Sequence, residues 1–415
     1  MNHVIIGSGP AGVTAAEEIR RLDPAAEITL LSHEPEPPYA RMAIPYLIKN
    51  QIGESGTFIR KSDTHFEDLN IGLLEAEIES IDTAGKILSL RGGEFLAYDK
   101  LLIASGGTPL IPPIEGIDLP GVTPCWTLDN ARRIIERAVA DAHIVLIGAG
   151  FISTTIVEAL VERGGSLTIV EMEDRLIPRM MDSQGADIIR KWCEARGVTI
   201  KTSARVDHIS HAGERLTVSI AGQDSIEADL VISATGVAPN IGFLGGSGLD
   251  TDMGILVDEY LTTSHPDIYA AGDVAQAPDM LSGGKTVMAV QPVAAEHGRL
   301  AGTNMVKGNA LAWIGSINMN VLDMLGLVSC SFGLWDGVDS GDYAELYKPE
   351  QNKYIKLQFE ADRLVGASSV GYTDHVGVFQ GLIMGKVSLG NWKEKLMKDP
   401  TQIMNAWIGS TQGTT

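Results

Sequence analysis

The chain is poor in cysteine, aromatic side chains and positive charge, and it has no long apolar run. Cys125, Cys193 and Cys330 are its only cysteines, far apart and without CxxC, CxxxxC or zinc-type spacing. That excludes a disulfide framework, a thiolate metal centre and an iron–sulfur cluster held by this chain, and the sparse, odd count fits a reducing cytoplasm. No metal site is expected. Aromatic residues are 6% of the 415, which disfavours an aromatic-rich binding module. Lys and Arg number 32 against 53 Asp and Glu, a formal net charge of -21. Such a field repels polyanions, so binding to nucleic acid or anionic lipid through a broad basic surface is not expected. No apolar stretch reaches the roughly 18 residues that span a bilayer. The start, MNHVIIGSGPAG, enters a strand with no basic n-region or cleavage pattern. The expectation is a cytoplasmic protein without a membrane segment.

Glycine, in contrast, is plentiful, with 46 residues, and it is placed in a pattern. Val4-Ile5-Ile6 leads into Gly7-Ser8-Gly9-Pro10-Ala11-Gly12, an amphipathic run to Arg20 and then Glu27 to Leu31. The same order returns at Ile144 to Ile147, Gly148-Ala149-Gly150-Phe151-Ile152-Ser153, a helical run to Glu162 and Leu167 to Val170. Two copies of strand, glycine turn, helix and strand imply two nucleotide sites. Each copy closes on a buried strand ending in a glycine turn: Ala104-Ser105-Gly106 after the first and Ala234-Thr235-Gly236 after the second. Pro109 to Pro120 reads as a linker. From about Leu311 short alternating runs precede a helical C-terminus, a third, mixed α/β piece.

In a strand–turn–helix of this type the first glycine makes the tight turn, the second admits a pyrophosphate to the backbone, and the third lets helix and strand pack. The helix N-terminus then faces the phosphates. Gly7, Gly9 and Gly12 fill these roles. Glu34, just past the second strand, is placed to accept hydrogen bonds from an adenosine ribose. In the second copy Gly148 and Gly150 are present, but the third position is Ser153. Glu171 would bond a free 2'-hydroxyl and repel a 2'-phosphate, which favours NAD over NADP; Arg175 and Arg179 leave a phosphate partner open.

Together with Ile268-Tyr269-Ala270-Ala271-Gly272-Asp273, these motifs resemble the flavoproteins with two dinucleotide-binding domains of the pyridine nucleotide-disulfide oxidoreductase class. The resemblance covers essentially the whole chain. It implies an α/β fold of two Rossmann-like domains, the second inserted in the first, plus a C-terminal α+β interface domain. FAD would occupy residues 1–115 with 246–310, NAD(H) residues 116–245, and the interface domain residues 311–415. The implied FAD contacts are Gly7, Gly9, Pro10, Ala11, Gly12, Glu34, Ile78, Ala104, Ser105, Gly106, Gly272 and Asp273, with Asp273 on the ribityl chain. Gln291, Pro292 and Ala295 would meet the flavin from a helix whose amides stabilise negative charge at N1. His297 is expected to be a partly buried helix residue instead. The implied NAD contacts are Gly148, Gly150, Phe151, Ile152, Glu171, Ala234, Thr235 and Gly236.

Within that class the disulfide reductases carry a thiol facing the flavin. Here the aligned segment is Pro38 to Tyr46, with Met42 where some relatives have cysteine. A thioether forms neither a charge-transfer thiolate nor a mixed disulfide. The segment is similar to the YxRxxxP stretch of rubredoxin, ferredoxin and nitrite reductases, which puts Arg41 near the FAD phosphates and Pro45 near the isoalloxazine. Relatives also commonly have Gly-x-Glu where this chain has Ser153-Thr154-Thr155, so a carboxylate near the nicotinamide is missing. Hydride transfer needs no protein acid or base, because the cofactor carries the chemistry; no side chain is expected to be catalytic.

The expected function is an enzyme, an FAD-dependent NAD(P)H oxidoreductase without a redox disulfide that exchanges electrons with a protein partner. That partner is a ferredoxin or rubredoxin, or the iron–sulfur subunits of a larger complex such as a 2-oxoacid oxidoreductase, similar to the flavin subunit of phenylglyoxylate dehydrogenase. The high negative charge disfavours steering of a diffusing acidic carrier and favours a docked subunit; a homodimer or a hetero-oligomer fits. The alternative is a flavoprotein that binds nucleotide as a structural or signalling ligand.

Overall fold

A computed structural model describes residues 1–213 and 215–411; residue 214 and the last four residues of the expected interface domain lie outside the described residues. The chain divides into two compact units, one of residues 1–43, 52–108 and 237–316, the other of residues 44–51, 109–236 and 317–415.

The first unit is built on a five-stranded parallel sheet. Its order is Ile268–Ala270, Lys100–Ile103, Asn2–Ile6, Glu27–Ser32, Gly72–Glu75. The strands read as continuous apolar runs because both faces are covered, and Val4, Ile5, Leu30, Leu101, Leu102 and Ile103 are at most 1% exposed. An antiparallel meander, Ile78–Asp82, Ile87–Leu90 and Phe95–Ala97, precedes the fourth of these strands in sequence. Two helices, Pro10–Leu22 and Gln291–Lys307, pack closely. A Cβ on Gly298 would lie 2.1 Å from Ala11 O, and one on Gly302 would lie 2.9 Å from Ala15 O. The contact advances in the same direction on both helices, so they run parallel. At a rise of 1.5 Å per residue, the Gln291 end projects about 9 Å past the Pro10 end.

The second unit repeats the plan. Its parallel sheet has the order Thr199–Lys201, Ser166–Val170, His143–Ile147, Leu230–Ser233, Val122–Pro124, with a meander of Val206–Ala212, Arg215–Ile220 and Ile226–Ala228. The outermost strand beside the closing strand arrives differently in the two units. In the first it comes from the end of the sequence, Ile268–Ala270; in the second it comes from the beginning, Val122–Pro124. That strand follows directly on the stretch read as a linker.

The second unit also holds the C-terminal sheet, antiparallel in the order Met319–Met324, Leu327–Gly333, Arg363–Val370, Lys353–Glu360, Asp342–Lys348. Helices Val376–Met384, Asn391–Lys398 and Ile403–Thr411 follow it. The N-cap of helix Ser183–Glu194, Asp182, accepts from Tyr354 Oη at 2.5 Å and from Lys356 Nζ at 3.1 Å, joining that helix to the sheet. This is the α/β architecture of two Rossmann-like folds with a C-terminal α+β piece.

Candidate functional site

The two glycine turns meet the same backbone demand. Gly7 has φ +106° and Gly148 +94°. A Cβ would fall 2.1 Å from Ala104 O at the first and 2.6 Å from Ala234 O at the second. Each first glycine is therefore fixed by its own closing turn, which explains why Ala104-Ser105-Gly106 and Ala234-Thr235-Gly236 recur with the glycine motifs.

The second glycines are different. Gly9 and Gly150 have φ of -74° and -76°, which any residue adopts, and a Cβ on either meets nothing within 4 Å. No contact of the fold requires glycine there, so the open space fits the close approach of a ligand. Both are N-caps without a side-chain hydrogen bond, leaving helix amides unsatisfied for an anion. Helix Gln291–Lys307 is likewise uncapped by a side chain and has no acid in its first turn. Two helices elsewhere are closed by side chains, Thr127 on Asn130 N and Asp182 on Gly185 N, whereas His65–Asp68, Val376–Met384 and Asn391–Lys398 also have no side-chain cap. It is the empty space at Gly9 and Gly150, at a φ that does not call for glycine, that sets these two turns apart.

Other residues point to the same group. Asp273 sits in the turn Gly272–Val274 and has no hydrogen-bond partner among the described residues. Burial raises its carboxyl above the usual range, with Arg41 opposing. Gly272, at φ +74°, is wedged between Ala11 and Ala294, whose atoms would lie 3.2 and 3.4 Å from its Cβ. Gln291 Oε1 is buried without a donor. Pro292 is exposed, Ala295 half-buried, and Ile78 half-buried at the start of the meander. These vacant acceptors and cradles fit a dinucleotide laid from the Gly7–Gly12 turn toward the Gln291 end. Ser105 Oγ donates to Asn240 O at 2.9 Å, and Gly106 has φ +68° with open space at its Cβ.

The YxRxxxP residues separate. Glu34 and Arg41 are in the first unit and in contact, Arg41 Nη2 to Glu34 Oε1 at 2.6 Å. Pro45 lies in the short helix Ile44–Ile48, which belongs to the second unit. Lys49, next to that helix, is fixed there by Glu158 and Glu162, each at 3.0 Å. Met42 is 55% exposed. All three cysteines are buried, and burial pushes the Cys125 and Cys193 thiols up to about 12 and Cys330 to about 11. A reactive thiolate needs the opposite shift. His297 is buried, its imidazole pushed down to about 4 by burial, edge-on to Trp313 at 4.5 Å.

In the second turn Ser153 is fully buried and its Oγ donates to Gly150 O at 2.8 Å. Thr154 Oγ1 donates to the same carbonyl at 2.9 Å, and Thr155 Oγ1 to Ile152 O at 2.6 Å. The helix Phe151–Thr155 stops at Ile156 and resumes as Val157–Glu162. Glu171 is 8% exposed; its carboxylate accepts from Ala149 N at 2.5 Å and Glu173 N at 2.8 Å. Arg175 is spent on Asp174 at 2.6 Å and on Met181 O at 3.1 Å. Arg179 is exposed and, with Arg175, Trp335 and Lys356, lines a cavity of about 560 Å³. Thr235 Oγ1 donates to Leu110 O at 3.3 Å, and Gly236 O accepts from Leu110 N at 2.9 Å. Sequence reasoning missed Tyr39, whose hydroxyl touches both Glu34 and Arg41; its place in the YxR triplet was the available signal.

Residues 1–298 match the pyridine nucleotide-disulphide oxidoreductase family. The chain belongs to that family. Among its relatives, the epsilon subunit of NADH-dependent phenylglyoxylate dehydrogenase from Aromatoleum evansii is 28% identical over 403 residues, 97% of this chain and 96% of the relative. A rubredoxin-NAD(+) reductase from Pseudomonas putida is 30% identical over 282 residues, 68% of this chain and 73% of the relative. Of solved structures, the NAD-dependent persulfide reductase from A. fulgidus aligns with a TM-score of 0.86 at 30% identity, covering 94% of this chain and 78% of that one. The family resemblance fits the paired turns, and within the family this chain lacks an accessible thiol at the aligned segment. It is an oxidoreductase without a redox-active disulfide.

Proposed function

We propose that this chain is the NAD(H)-side flavoprotein of an electron-transfer assembly, binding FAD at one turn and NADH at the other and passing electrons to a docked iron–sulfur protein. Bound FAD supplies the conversion between hydride and single-electron transfer. The chain's own part is positional. Ala11 and Gly12 would present free helix amides to the pyrophosphate, with Gly7, Gly9 and Pro10 shaping the turn that admits it, and Glu34 would accept from the adenosine ribose. Asp273 accepts from the ribityl hydroxyls, and the uncapped Gln291 end faces the flavin. Gly148, Gly150, Phe151, Ile152 and Glu171 hold NADH, with Ala234, Thr235 and Gly236 closing its turn. By this reading the FAD domain is residues 1–115 with 246–310, the NAD domain 116–245 and the interface domain 311–415.

The observation that carries the proposal is the missing thiol: Met42 stands at the aligned position and every cysteine is buried with a raised pKa. Electrons therefore leave through another protein or a soluble acceptor, and two features favour the protein. A relative that matches over nearly the full length of both chains is itself a subunit of an NADH-dependent enzyme, and the net charge of -21 suits a docked partner better than a diffusing acidic carrier. The sparse, unpaired cysteines suit a cytoplasmic location for that assembly. Anaerobic NADH should bleach the flavin band of the purified protein, and native mass spectrometry from source cells should find it with iron–sulfur subunits. A preparation without FAD, or an isolated homodimer, defeats the reading.

One observation favours a second reading. The break at Ile156, directly after Ser153-Thr154-Thr155, suits a nucleotide site used for signalling or structure. Rapid NADH turnover with ferricyanide eliminates it.

A further inference from the structure

Glu34 and Arg41 have separate tasks, one toward a ribose and one toward phosphates, yet they are closed into a ring by a third side chain. Tyr39 Oη donates to Glu34 Oε2 at 2.5 Å and accepts from Arg41 Nη1 at 2.7 Å; Arg41 Nη2 completes the ring on Glu34 Oε1 at 2.6 Å. The guanidinium carbon lies 5.3 Å from the Tyr39 ring centroid. Tyr39 is 7% exposed, and its surroundings are pinned by the neighbouring segment. Tyr39 bridges Phe58, Ala40 N donates to Thr57 O at 3.0 Å, and Ile59 N donates to Pro38 O at 2.9 Å. The fixed member of the ring is thus the tyrosine. Glu34 and Arg41 are longer, more flexible and more exposed, at 14% and 32% of their side chains.

We infer that Tyr39 is a positioning residue for the adenosine half of FAD, an inference that rests on reading the first glycine turn as the FAD site. Its hydroxyl sets the rotamers of both charged side chains before the cofactor arrives, so binding does not have to order them. A carboxylate has about four acceptor positions, and the ring uses two of those on Glu34, leaving acceptor capacity for ribose hydroxyls. Removing the hydroxyl leaves Arg41 Nη1 without this acceptor and releases one oxygen of Glu34. Both effects fall on the adenosine–phosphate end and neither reaches the isoalloxazine.

The test is Tyr39→Phe, measured on apoprotein reloaded with FAD, with riboflavin, which carries neither adenosine nor phosphate, titrated in parallel and AMP as a competitor. FAD and AMP should each bind about tenfold more weakly, as expected for losing charge-assisted hydrogen bonds, while riboflavin affinity and the melting temperature of the apoprotein stay unchanged. A general packing defect would weaken FAD and riboflavin alike, and that result overturns the inference, as does unchanged FAD binding or unchanged AMP binding. If the Phe variant does not fold, Glu34→Gln and Arg41→Lys are measured alone and together: a loss of FAD affinity in the double variant smaller than the sum of the two sustains the ring, and additive losses overturn it. Failure of the wild-type protein to bind FAD at all would instead sink the cofactor reading.

Discussion

The first and second glycine turns start from one backbone and end with different hardware. Both open on a glycine at positive φ pressed against the carbonyl of the closing turn, and both leave the second glycine facing open space. They part at the third position. A Cβ on Gly12 would lie 1.9 Å from Gly7 O, so glycine lets the helix seat itself on the turn, and it runs unbroken from Pro10 to Leu22. Ser153 carries a Cβ, so its helix must stand off, and three hydroxyls in a row bond back to carbonyls one turn earlier. Such back-bonding weakens and bends helices, and this one stops after Thr155.

The carboxylates differ in register as well. Gly7 N bonds Leu31 O and Gly148 N bonds Val170 O, each at 2.9 Å, which makes Ser32 and Glu171 equivalent. Glu171 folds back on its own turn, onto Ala149 N. In the first unit Ser32 Oγ turns the chain instead, bonding Glu34 N and O, and the carboxylate arrives two residues later to be held by Tyr39 and Arg41. One site positions its acid by backbone, the other by side chains.

The largest effect should come from exchanging the third residues. Gly12→Ala must displace the helix or the turn, an overpacking that costs about 1–3 kcal/mol. All of that falls on the turn proposed to hold FAD, so FAD should bind up to about 100-fold more weakly, read as a low ratio of flavin to protein absorbance. Ser153→Gly in the other turn has no such clash to create and should leave flavin content unchanged while tightening NADH by a few-fold. Equal responses at the two positions would mean that the turns do not differ as described.

Next is the carboxylate that sits on the backbone. Glu171→Ala removes the acceptor of two amides and, by the proposed reading, of the ribose diol, so NADH should weaken about tenfold. NADPH should weaken less, because the repulsion of a 2'-phosphate goes with the carboxylate. Parallel equilibrium titrations of both nucleotides check this; a uniform loss would show that Glu171 serves the turn alone.

Much of this contrast was legible in the sequence, and for a physical reason. Glycine at Gly7, Gly12 and Gly148 answers to steric demands that no other residue meets, so spacing alone located both turns and their closing strands. What was not legible depends on long-range partners. Val122–Pro124 is too short to show a periodicity and follows a proline-rich stretch, so its place in the sheet comes only from pairing with Leu230–Ser233. Pro45 follows a motif continuous in sequence, yet the boundary between units falls at Ile44. Arg175 leaves a phosphate partner open in the sequence, and its bonds to Asp174 and Met181 O become visible only in the fold. Tyr39 carries no charge and attracted no role until its hydroxyl was seen between two residues that did.

The smallest effect concerns acid, and it separates the units by the way each protects a buried-edge aspartate. In the first, Asp267 lies between Lys100 and Lys86, each at 2.6 Å, and their hydrogen bonds hold its carboxyl down to about 2. In the second, burial pushes Asp182 up, but Tyr354, the Gly185 amide and Lys356 outweigh it and hold it below the usual range. A carboxyl whose folded pKa is depressed stabilises the protein above its unfolded pKa, and that contribution is lost as pH falls through the folded value. For Asp267 the window runs from about pH 4 down to about pH 2. Because its carboxylate and both lysines are partly exposed, solvent screening reduces the gain to about 1 kcal/mol. Asp267→Asn should therefore lower the temperature at which FAD is released at pH 7 and converge on the wild type by pH 2. Asp182→Asn should act on unfolding of the second unit, followed by tryptophan fluorescence, with FAD release unchanged; a shift of FAD release by both variants would show that the two units unfold as one.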